Sequence, residues 1–246
     1  MLKYFLLVVS CLSCSVAANA SLRVVTELSP PHQTLVAGEI AGLSTELVRA
    51  TLAKAGVTAQ IEVYPWARSF RIAQSRPDVL IYNMARTAER EAQFHWIGTV
   101  AAYQLGFVAL SHRDDIRIKA LSDAVGYTIA VQRDDLAANF LMQNGFSTGQ
   151  QLVLAADITE SWQLLLNGKV DLVVDDAVAF TAMAETLALP YKYLRFVYAI
   201  PELAQHTWLA ASLETSPELV KRLQQAHSEV ATTEYYQKVM SSGYRQ

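Results

Sequence analysis

The chain contains almost no cysteine: there are two in 246 residues, Cys11 and Cys14, and both lie within the first twenty. If that segment is removed, what remains has no disulfide and no cysteine nucleophile. A Gly-x-Ser-x-Gly elbow, a phosphate-binding glycine loop and a metal-binding box are also missing. The histidines are scattered without ligand-like spacing. We therefore expect no catalytic residues, no cofactor and no metal site.

Long apolar runs are also lacking after the first twenty residues. Residues 1–20 have the composition of a signal peptide, with Lys3 at the start, an apolar stretch over 5–9, and Ala18-Asn19-Ala20 before a cleavage site at Ser21. The apolar stretch is too short to span a bilayer. We expect a soluble periplasmic protein. A lipoprotein acylated at one of the two cysteines remains an alternative, which the residues before each cysteine fit poorly.

No charge of one sign dominates, since 20 Lys and Arg stand against 23 Asp and Glu, for a formal charge of −3. This balance argues against a nucleic-acid partner and against an anionic membrane surface. Hydrophobic residues make up 52% of the chain, which is enough to build the core of one large domain or two modest ones. We expect a monomer.

The pattern from residue 23 predicts a β-α-β-α-β series. Strands are expected at 23–26, 61–63 and 79–81, with a helix from Ser44 to Gly56 and a shorter one over 66–74. Such a series indicates a largely parallel sheet with helices on its faces. Ligands of these sheets bind beyond the carboxyl ends of the strands.

A second series of the same kind follows. Strands are predicted at 127–131, 152–154 and 172–174, and a late strand at 208–211 precedes a helix that begins at Pro217. Two similar α/β halves in succession indicate two lobes with a cleft between them. The predicted division is residues 21–105 for the first lobe, 106–205 for the second, and 206–246 for a return to the first.

The strand ends carry residues suited to holding a small anion. Guanidinium groups grip carboxylates through paired hydrogen bonds, and an indole offers an apolar wall with one polar group. The candidate ligand-binding residues found in this way are Glu27, Tyr64, Trp66, Arg68, Arg86, Arg90, Arg133, Asp175 and Asp176.

Each candidate has a purely structural alternative. Arg90 is equally a surface residue paired with Glu89 or Glu91, and Arg68 and Arg86 are equally partners of Glu62 or Asp78. Trp66 is equally a core residue. Asp175 and Asp176 suit a helix N-cap, and for Asp134 and Asp135 capping is the preferred interpretation.

Taken in order, several motifs resemble the family 3 periplasmic solute-binding proteins, the polar amino-acid-binding type, and within it a subgroup with a Pro-Trp-x-Arg motif. The motifs are Glu27…Pro30-Pro31, Gly42-Leu43-Ser44-Thr45-Glu46-Leu47, Tyr64-Pro65-Trp66-Ala67-Arg68, Arg86-Thr87-Ala88-Glu89-Arg90 and Asn167-Gly168-Lys169-Val170-Asp171-Leu172.

The resemblance implies the two-lobed type II periplasmic binding protein fold, with two crossing strands joining the lobes and a ligand cleft between them. It assigns the ligand's α-carboxylate to Arg90 of the Thr87-x-x-Arg90 motif and its α-ammonium to Asp176 or Asp175. It also implies an ABC transporter or a membrane sensor as the partner. The chain departs from amino-acid binders at Ala85, where a hydroxyl is usual, and in its charged 132–135 turn.

Three functions remain open from the sequence. The first is a binding protein for a small polar solute that carries a carboxylate. The second is an enzyme on the same fold, such as a dehydratase or lyase, with Glu27 or Asp175 as the candidate acid. The third is a module that docks on a partner protein and binds no ligand tightly.

Overall fold

One twisted sheet with helices on its faces organises the protein, as seen in a computed structural model that describes residues 22–190 and 192–242. In chain order the elements are β1 (Leu22–Thr26), β2 (Thr34–Val36), β3 (Glu39–Ala41), α1 (Leu43–Lys54), β4 (Ala59–Val63), α2 (Trp66–Ser75), β5 (Val79–Ala85), β6 (Phe94–Leu110), β7 (Ile129–Gln132), α3 (Leu136–Gln143), β8 (Leu152–Ala155), α4 (Ile158–Leu166), β9 (Leu172–Asp176), α5 (Ala179–Thr186), β10 (Leu194–Ser212), α6 (Pro217–Val230) and α7 (Glu234–Ser242). Short 3₁₀ turns occupy Glu91–Gln93 and Leu121–Gly126. The predicted signal peptide, with both cysteines, lies outside the described residues.

The sheet is parallel at both ends and antiparallel in the middle. Its strand order is β4-β1-β5-β10-β6-β9-β7-β8. β1 pairs in parallel with β4 and β5, and β7 pairs in parallel with β8 and β9. The prediction of α/β architecture with parallel strands in both halves is therefore confirmed.

Two long strands, β6 and β10, connect the ends of the sheet. They pair antiparallel along most of their length, from Leu110 opposite Leu194 to Phe94 opposite Ser212. β10 also pairs with β5, and β6 also pairs with β9. β10 thus joins the sheet to one parallel end and β6 joins it to the other.

The hydrophobic core is divided in the same way. One pair of clusters draws its buried side chains from positions 107–203, and it includes Phe107 and Trp162. Another pair draws on positions 22–100 and 209–226, and it includes Leu80 and Tyr82. Trp162 is the largest of the fully buried side chains.

The start of helix α1 differs from the prediction. Ser44 is not the N-cap but a buried residue inside the helix, where its hydroxyl donates to the Val100 carbonyl at 3.0 Å. The N-cap is Gly42, at φ 117°, and a Cβ there would lie 2.5 Å from the His32 carbonyl oxygen. Only glycine suits that backbone angle and that approach.

The sequence did not predict the β2–β3 hairpin or helix α5, and it predicted helices within 206–246 without giving the bounds of α7. Within the parts of the chain that the structure describes, no helix combines the length and apolarity needed to cross a membrane.

Candidate functional site

A cavity of about 90 Å³ lies where strands from both parallel ends of the sheet terminate. Glu27 follows β1, Trp66 begins α2 and Asp175 lies at the end of β9. Such strand ends are the usual ligand position in open α/β sheets. The lining residues are Glu27, Ser29, Gln33, Trp66, Asn83, Ala85, Arg90, Tyr103, Leu105, Gln132, Asp135, Leu136, Ala137, Ile158, Val174, Asp175, Gln205 and Thr207.

Arg90 supplies the positive charge of this lining. It is only 6% exposed, and burial lowers the pKa of its guanidinium. Its guanidinium carbon lies 5.4 Å from the centre of the Trp66 ring and 4.9 Å from that of Phe70, so aromatic faces flank the cation. Its Nη1 donates to the Ala85 carbonyl at 3.4 Å. No carboxylate among the described residues pairs with it within 4.0 Å.

Three carboxyl groups face the same cavity. Burial, and then repulsion from Asp135, raises the pKa of Glu27 to about 8. Burial also raises the pKa of Asp135 and that of Asp175 to about 7 each. Their hydrogen bonding differs, because Asp175 accepts from Trp162 Nε1 at 2.8 Å and from the backbone, whereas Oε2 of Glu27 is buried without a partner.

Neutral polar side chains of the cavity bond to one another. Thr207 donates to Asn83 at 3.0 Å, Asn83 donates to Gln33 at 2.6 Å, and Gln33 donates to Thr26 at 2.9 Å. Asn83 also donates to the Tyr103 hydroxyl at 3.2 Å. These side chains satisfy one another, so the polar groups left for a ligand are Arg90, the three acids and the unpartnered Oε1 of Gln132.

One hydrogen bond closes the cavity from the side of α2. The Trp66 indole donates to the Asp134 carbonyl at 3.0 Å. Asp134 has a positive φ of 59° and directly precedes Asp135, whose carboxylate caps α3 by accepting from Ala138 at 2.6 Å. The turn after β7 therefore delivers both a closing contact and an acid to the cavity.

The structure brings together four of the residues predicted from sequence: Glu27, Trp66, Arg90 and Asp175 all line the cavity. Thr87 lines an adjoining open groove, which shares Arg90, Leu136 and Gln205 with the cavity.

The other predicted residues lie elsewhere. Tyr64 donates to Glu62, and Arg68 stacks on the Tyr64 ring at 4.1 Å. Arg86 donates to the Glu91 carboxylate from Nε at 2.7 Å and from Nη2 at 2.6 Å. Arg133 is exposed. Asp176 is fully buried, and its carboxyl group accepts hydrogen bonds from the backbone N–H groups of Val178, Ala179 and Gln104.

The sequence reading missed Asp135 as a cavity residue. Capping and facing the cavity are compatible here, since one oxygen bonds the helix while the carboxyl group lines the wall. Its position at the end of β7, matching that of Asp175 at the end of β9, is the signal that identifies it. Within residues 22–190 and 192–242, no three His, Cys, Asp or Glu side chains are placed to hold a metal ion.

Comparison with known proteins agrees with this architecture. A model of the bacterial extracellular solute-binding proteins, family 3, matches residues 22–242. A histidine kinase sensor domain with similarity to periplasmic binding proteins superposes with a TM-score of 0.79 and 22% identity, over 91% of this chain and 96% of that one. An ancestral arginine-binding protein bound to arginine gives a TM-score of 0.78 and 21% identity, over 92% and 98%.

The GluR0 ligand-binding core from Nostoc punctiforme, in complex with L-glutamate, gives a TM-score of 0.72 and 21% identity, over 91% of this chain and 99% of that one. A search of curated protein sequences found no match. At these identities the structural likeness establishes the type II periplasmic binding protein fold and nothing finer.

Proposed function

The chain belongs to the bacterial extracellular solute-binding proteins of family 3, and from that premise we propose that it captures a small ligand bearing a carboxylate, an amino acid or a related compound, in the cavity beside Arg90. The finding that carries the proposal is the state of Arg90. Asp135 attracts the Arg90 guanidinium across the cavity but forms no ion pair with it within 4.0 Å. A buried cation without a paired anion is costly, and a bound carboxylate is the natural partner of its planar donors.

The other predicted arginines are less suited to this task. Arg86 is already neutralised by Glu91, and Arg68 lies exposed on the face of Tyr64. Arg90 alone among these three lines the cavity. It therefore replaces the wider set of cleft arginines as the proposed carboxylate-binding residue.

The size of the cavity supports a ligand of amino-acid scale. A volume of about 90 Å³ holds roughly six to nine groups the size of a water molecule. Trp66 supplies an apolar wall, and Asp175 supplies a buried acceptor for an ammonium group. Peptides and oligosaccharides exceed this space.

We also propose that capture closes two lobes. The first comprises residues 21–105 with 206–246, and the second comprises 106–205. The separate core clusters, one pair from 107–203 and another from 22–100 with 209–226, support this division. The bond from Trp66 to Asp134 then joins the lobes. A ligand that contacts Arg90 on one lobe and Asp175 on the other favours the closed form, because it binds that form more tightly.

The experiment starts with protein that has been unfolded and refolded to remove bound ligand. Its melting temperature is measured with amino acids, small organic acids and polyamines in turn. A ligand at about a thousand times its dissociation constant stabilises by about 4 kcal/mol, a shift of roughly 8 to 16 °C for a protein of this size. Arg90→Ala should abolish the shift, and Arg68→Ala, a matched arginine outside the cavity, should keep it. No shift with any compound would refute the proposal in favour of a module that only docks on a partner.

The proposed setting is the periplasm, where a monomer presents its ligand to an ABC transporter or to a membrane sensor. Uptake of radiolabelled ligand by cells with and without the protein separates the two partners. Loss of uptake indicates a transporter, whereas unchanged uptake with a lost transcriptional response indicates a sensor.

One observation favours a second candidate, an enzyme. A carboxyl group whose pKa is raised to about 8 stays protonated at neutral pH and suits a general acid, and Glu27 faces the cavity. A binding protein returns its ligand unchanged, so NMR spectra of ligand recovered after incubation distinguish the two functions. Conversion that stops in Glu27→Gln would establish catalysis.

A further inference from the structure

We propose that Gln132 is a positioning residue of the cavity, whose side-chain amide pairs with the protonated carboxyl group of Glu27 and so joins the two lobes. This role rests on the proposed function, because it adds a second joint to the lobe closure proposed there. It follows from two buried oxygens that lack hydrogen-bond partners and from the places of their strands in the sheet.

The two oxygens belong to neighbouring side chains. Oε2 of Glu27 and Oε1 of Gln132 are buried without a hydrogen-bond partner, and both residues line the cavity. Buried polar atoms without a partner are rare in folded proteins and require an explanation. The Gln132 amide is near enough to Glu27 to lower the pKa of that carboxyl group as a hydrogen-bond donor. The two unpartnered oxygens therefore have the same missing group in common, which is a donor.

One proton on Glu27 supplies that donor. A carboxylate oxygen and an amide oxygen are both acceptors, so no hydrogen bond joins them while Glu27 is ionised. A protonated carboxyl group carries an O–H, which donates from Oε2 to Oε1 of Gln132. The amide N–H of Gln132 then donates to the other carboxyl oxygen. In this acid–amide pair each side chain is both donor and acceptor.

The surroundings of Glu27 keep the proton in place. The carboxyl groups that act on it are those of Asp135 at the start of α3, Asp157 at the start of α4 and Asp175 at the end of β9. Together with burial they raise the pKa of Glu27 to about 8. The charge of Arg90 acts on Asp135, and the Tyr103 hydroxyl on β6 stays neutral because burial raises its pKa well above 10. At neutral pH the carboxyl group of Glu27 is therefore available as a donor.

The places of the strands make this pair a contact between lobes. Glu27 follows β1 and Gln132 ends β7, and four strands, β5, β10, β6 and β9, stand between them in the sheet. At a spacing of about 4.8 Å, β1 and β7 would lie about 24 Å apart in a flat sheet. Their ends meet at one cavity because the two parallel ends of the sheet turn toward each other. The pair thus forms when the lobes close, as does the bond from Trp66 to Asp134.

Infrared difference spectra of ligand-stripped protein test the pair directly. The spectrum of the wild type minus that of Glu27→Gln isolates the carbonyl stretch of the Glu27 carboxyl group. At pH 6 it should show the band of a protonated carboxyl group, and the band should disappear as the pH rises through about 8. Gln132→Met removes the amide at nearly the same size, and it should move the band to higher wavenumber because the carboxyl group loses its hydrogen bonds. Gln150→Met, the same change at an exposed turn, should leave the band in place.

The variant that combines Glu27→Gln with Gln132→Glu forms the same pair in reverse and should show a band near the position found in the wild type. Urea denaturation at pH 6 measures the strength of the pair in Glu27→Met, in Gln132→Met and in the variant with both changes. Two hydrogen bonds predict that each single change lowers the equilibrium stability constant about tenfold, and that the two together lower it little further.

Three results would overturn the proposal: a carboxylate band from Glu27 at pH 6, a carboxyl band that Gln132→Met does not move, or losses of stability that simply add. These measurements use no ligand, so any of those results leaves the proposed function standing. Conversely, a melting temperature that no compound raises would refute the proposed function and leave the pair standing.

Discussion

Replacing Glu27 by glutamine should remove part of the protein's loss of stability in alkaline solution. In the ligand-free fold the pKa of Glu27 is raised from 4.5 to about 8, first by burial and then by repulsion from Asp135. The folded protein therefore retains this proton in a range where the unfolded chain has released it. Unfolding then releases a proton, so the free energy of unfolding falls as the pH rises from about 4.5 to about 8.

The size of the effect follows from the shift in pKa. Each unit is worth about 1.4 kcal/mol, so a rise from 4.5 to about 8 corresponds to at most about 5 kcal/mol of lost stability. Part of the shift comes from repulsion by Asp135 and Asp175, which are themselves partly protonated near neutral pH because the pKa of each is raised to about 7. Glutamine resembles the protonated carboxyl group and cannot ionise. We expect Glu27→Gln to match the wild type at pH 5 and to exceed its stability by about 2 to 5 kcal/mol at pH 8.5.

Urea denaturation of ligand-stripped protein at pH 5, 7 and 8.5 measures this difference. Glu214→Gln is the matched control, since it removes the same charge from an exposed turn and should follow the wild type at every pH. If the unfolding free energies of wild type and Glu27→Gln change in parallel with pH, the Glu27 carboxyl group ionises normally in the folded protein, and the reasoning fails.

Three further changes have defined outcomes. Gly98→Ala should destabilise by about 2 kcal/mol or more, because the new methyl group would collide with the ring of buried His227, and urea denaturation measures the loss. Trp66→Phe removes the 3.0 Å bond to the Asp134 carbonyl but keeps an aromatic ring, so ligand affinity in calorimetry should fall about fivefold with little change in unfolding free energy. Burial lowers the pKa of His32 from 6.5 to about 4; the unfolded chain thus takes up a proton between these values, and the wild type should lose about 3 kcal/mol relative to His32→Asn as the pH falls from 7 to 4.

Each of these changes has its own control. Gly126→Ala places a methyl group where no atom lies within 4 Å and should leave the free energy of unfolding nearly unchanged. An equally small loss of unfolding free energy in Gly98→Ala would mean that the His227 ring moves aside without cost. Unchanged affinity in Trp66→Phe would show that the indole bond does not hold the cavity closed. His112→Asn, at an exposed histidine, should leave the acid profile unchanged, and a His32→Asn profile identical to the wild type would contradict the buried-histidine explanation.

The sequence predicted the periodic elements well because their apolar spacing reflects burial directly. β1, α2, β7, β8 and β9 all begin or end within two residues of their predicted bounds. Helix α1 was predicted to begin at Ser44, since a serine before an apolar series usually caps a helix. Here the backbone at Gly42 approaches the His32 carbonyl, which is a tertiary contact that local pattern does not encode.

The sequence predicted where the candidate site lies better than it predicted which residues line it. Placing charged residues at strand ends located Glu27 and Asp175, but it did not distinguish arginines that face the cavity from those with other partners. Arg86 pairs with a glutamate five residues later, Glu91, and packs over Trp96 and Trp208. Which of two neighbouring arginines turns inward depends on packing around each side chain.

The paths of β6 and β10 impose an order on folding. The core built from positions 107–203 comes from one continuous stretch, so that half can form as soon as the stretch is available. The other half cannot, because β5 pairs with residues 207–211 of β10, and α1 packs against α6, which begins at Pro217. Until the last part of the chain arrives, one edge of β5 carries unpaired backbone groups, the feature that most invites association between chains. Truncation near the carboxyl terminus should therefore lead to aggregation of the amino-terminal half, even though the missing residues lie more than a hundred positions away in sequence.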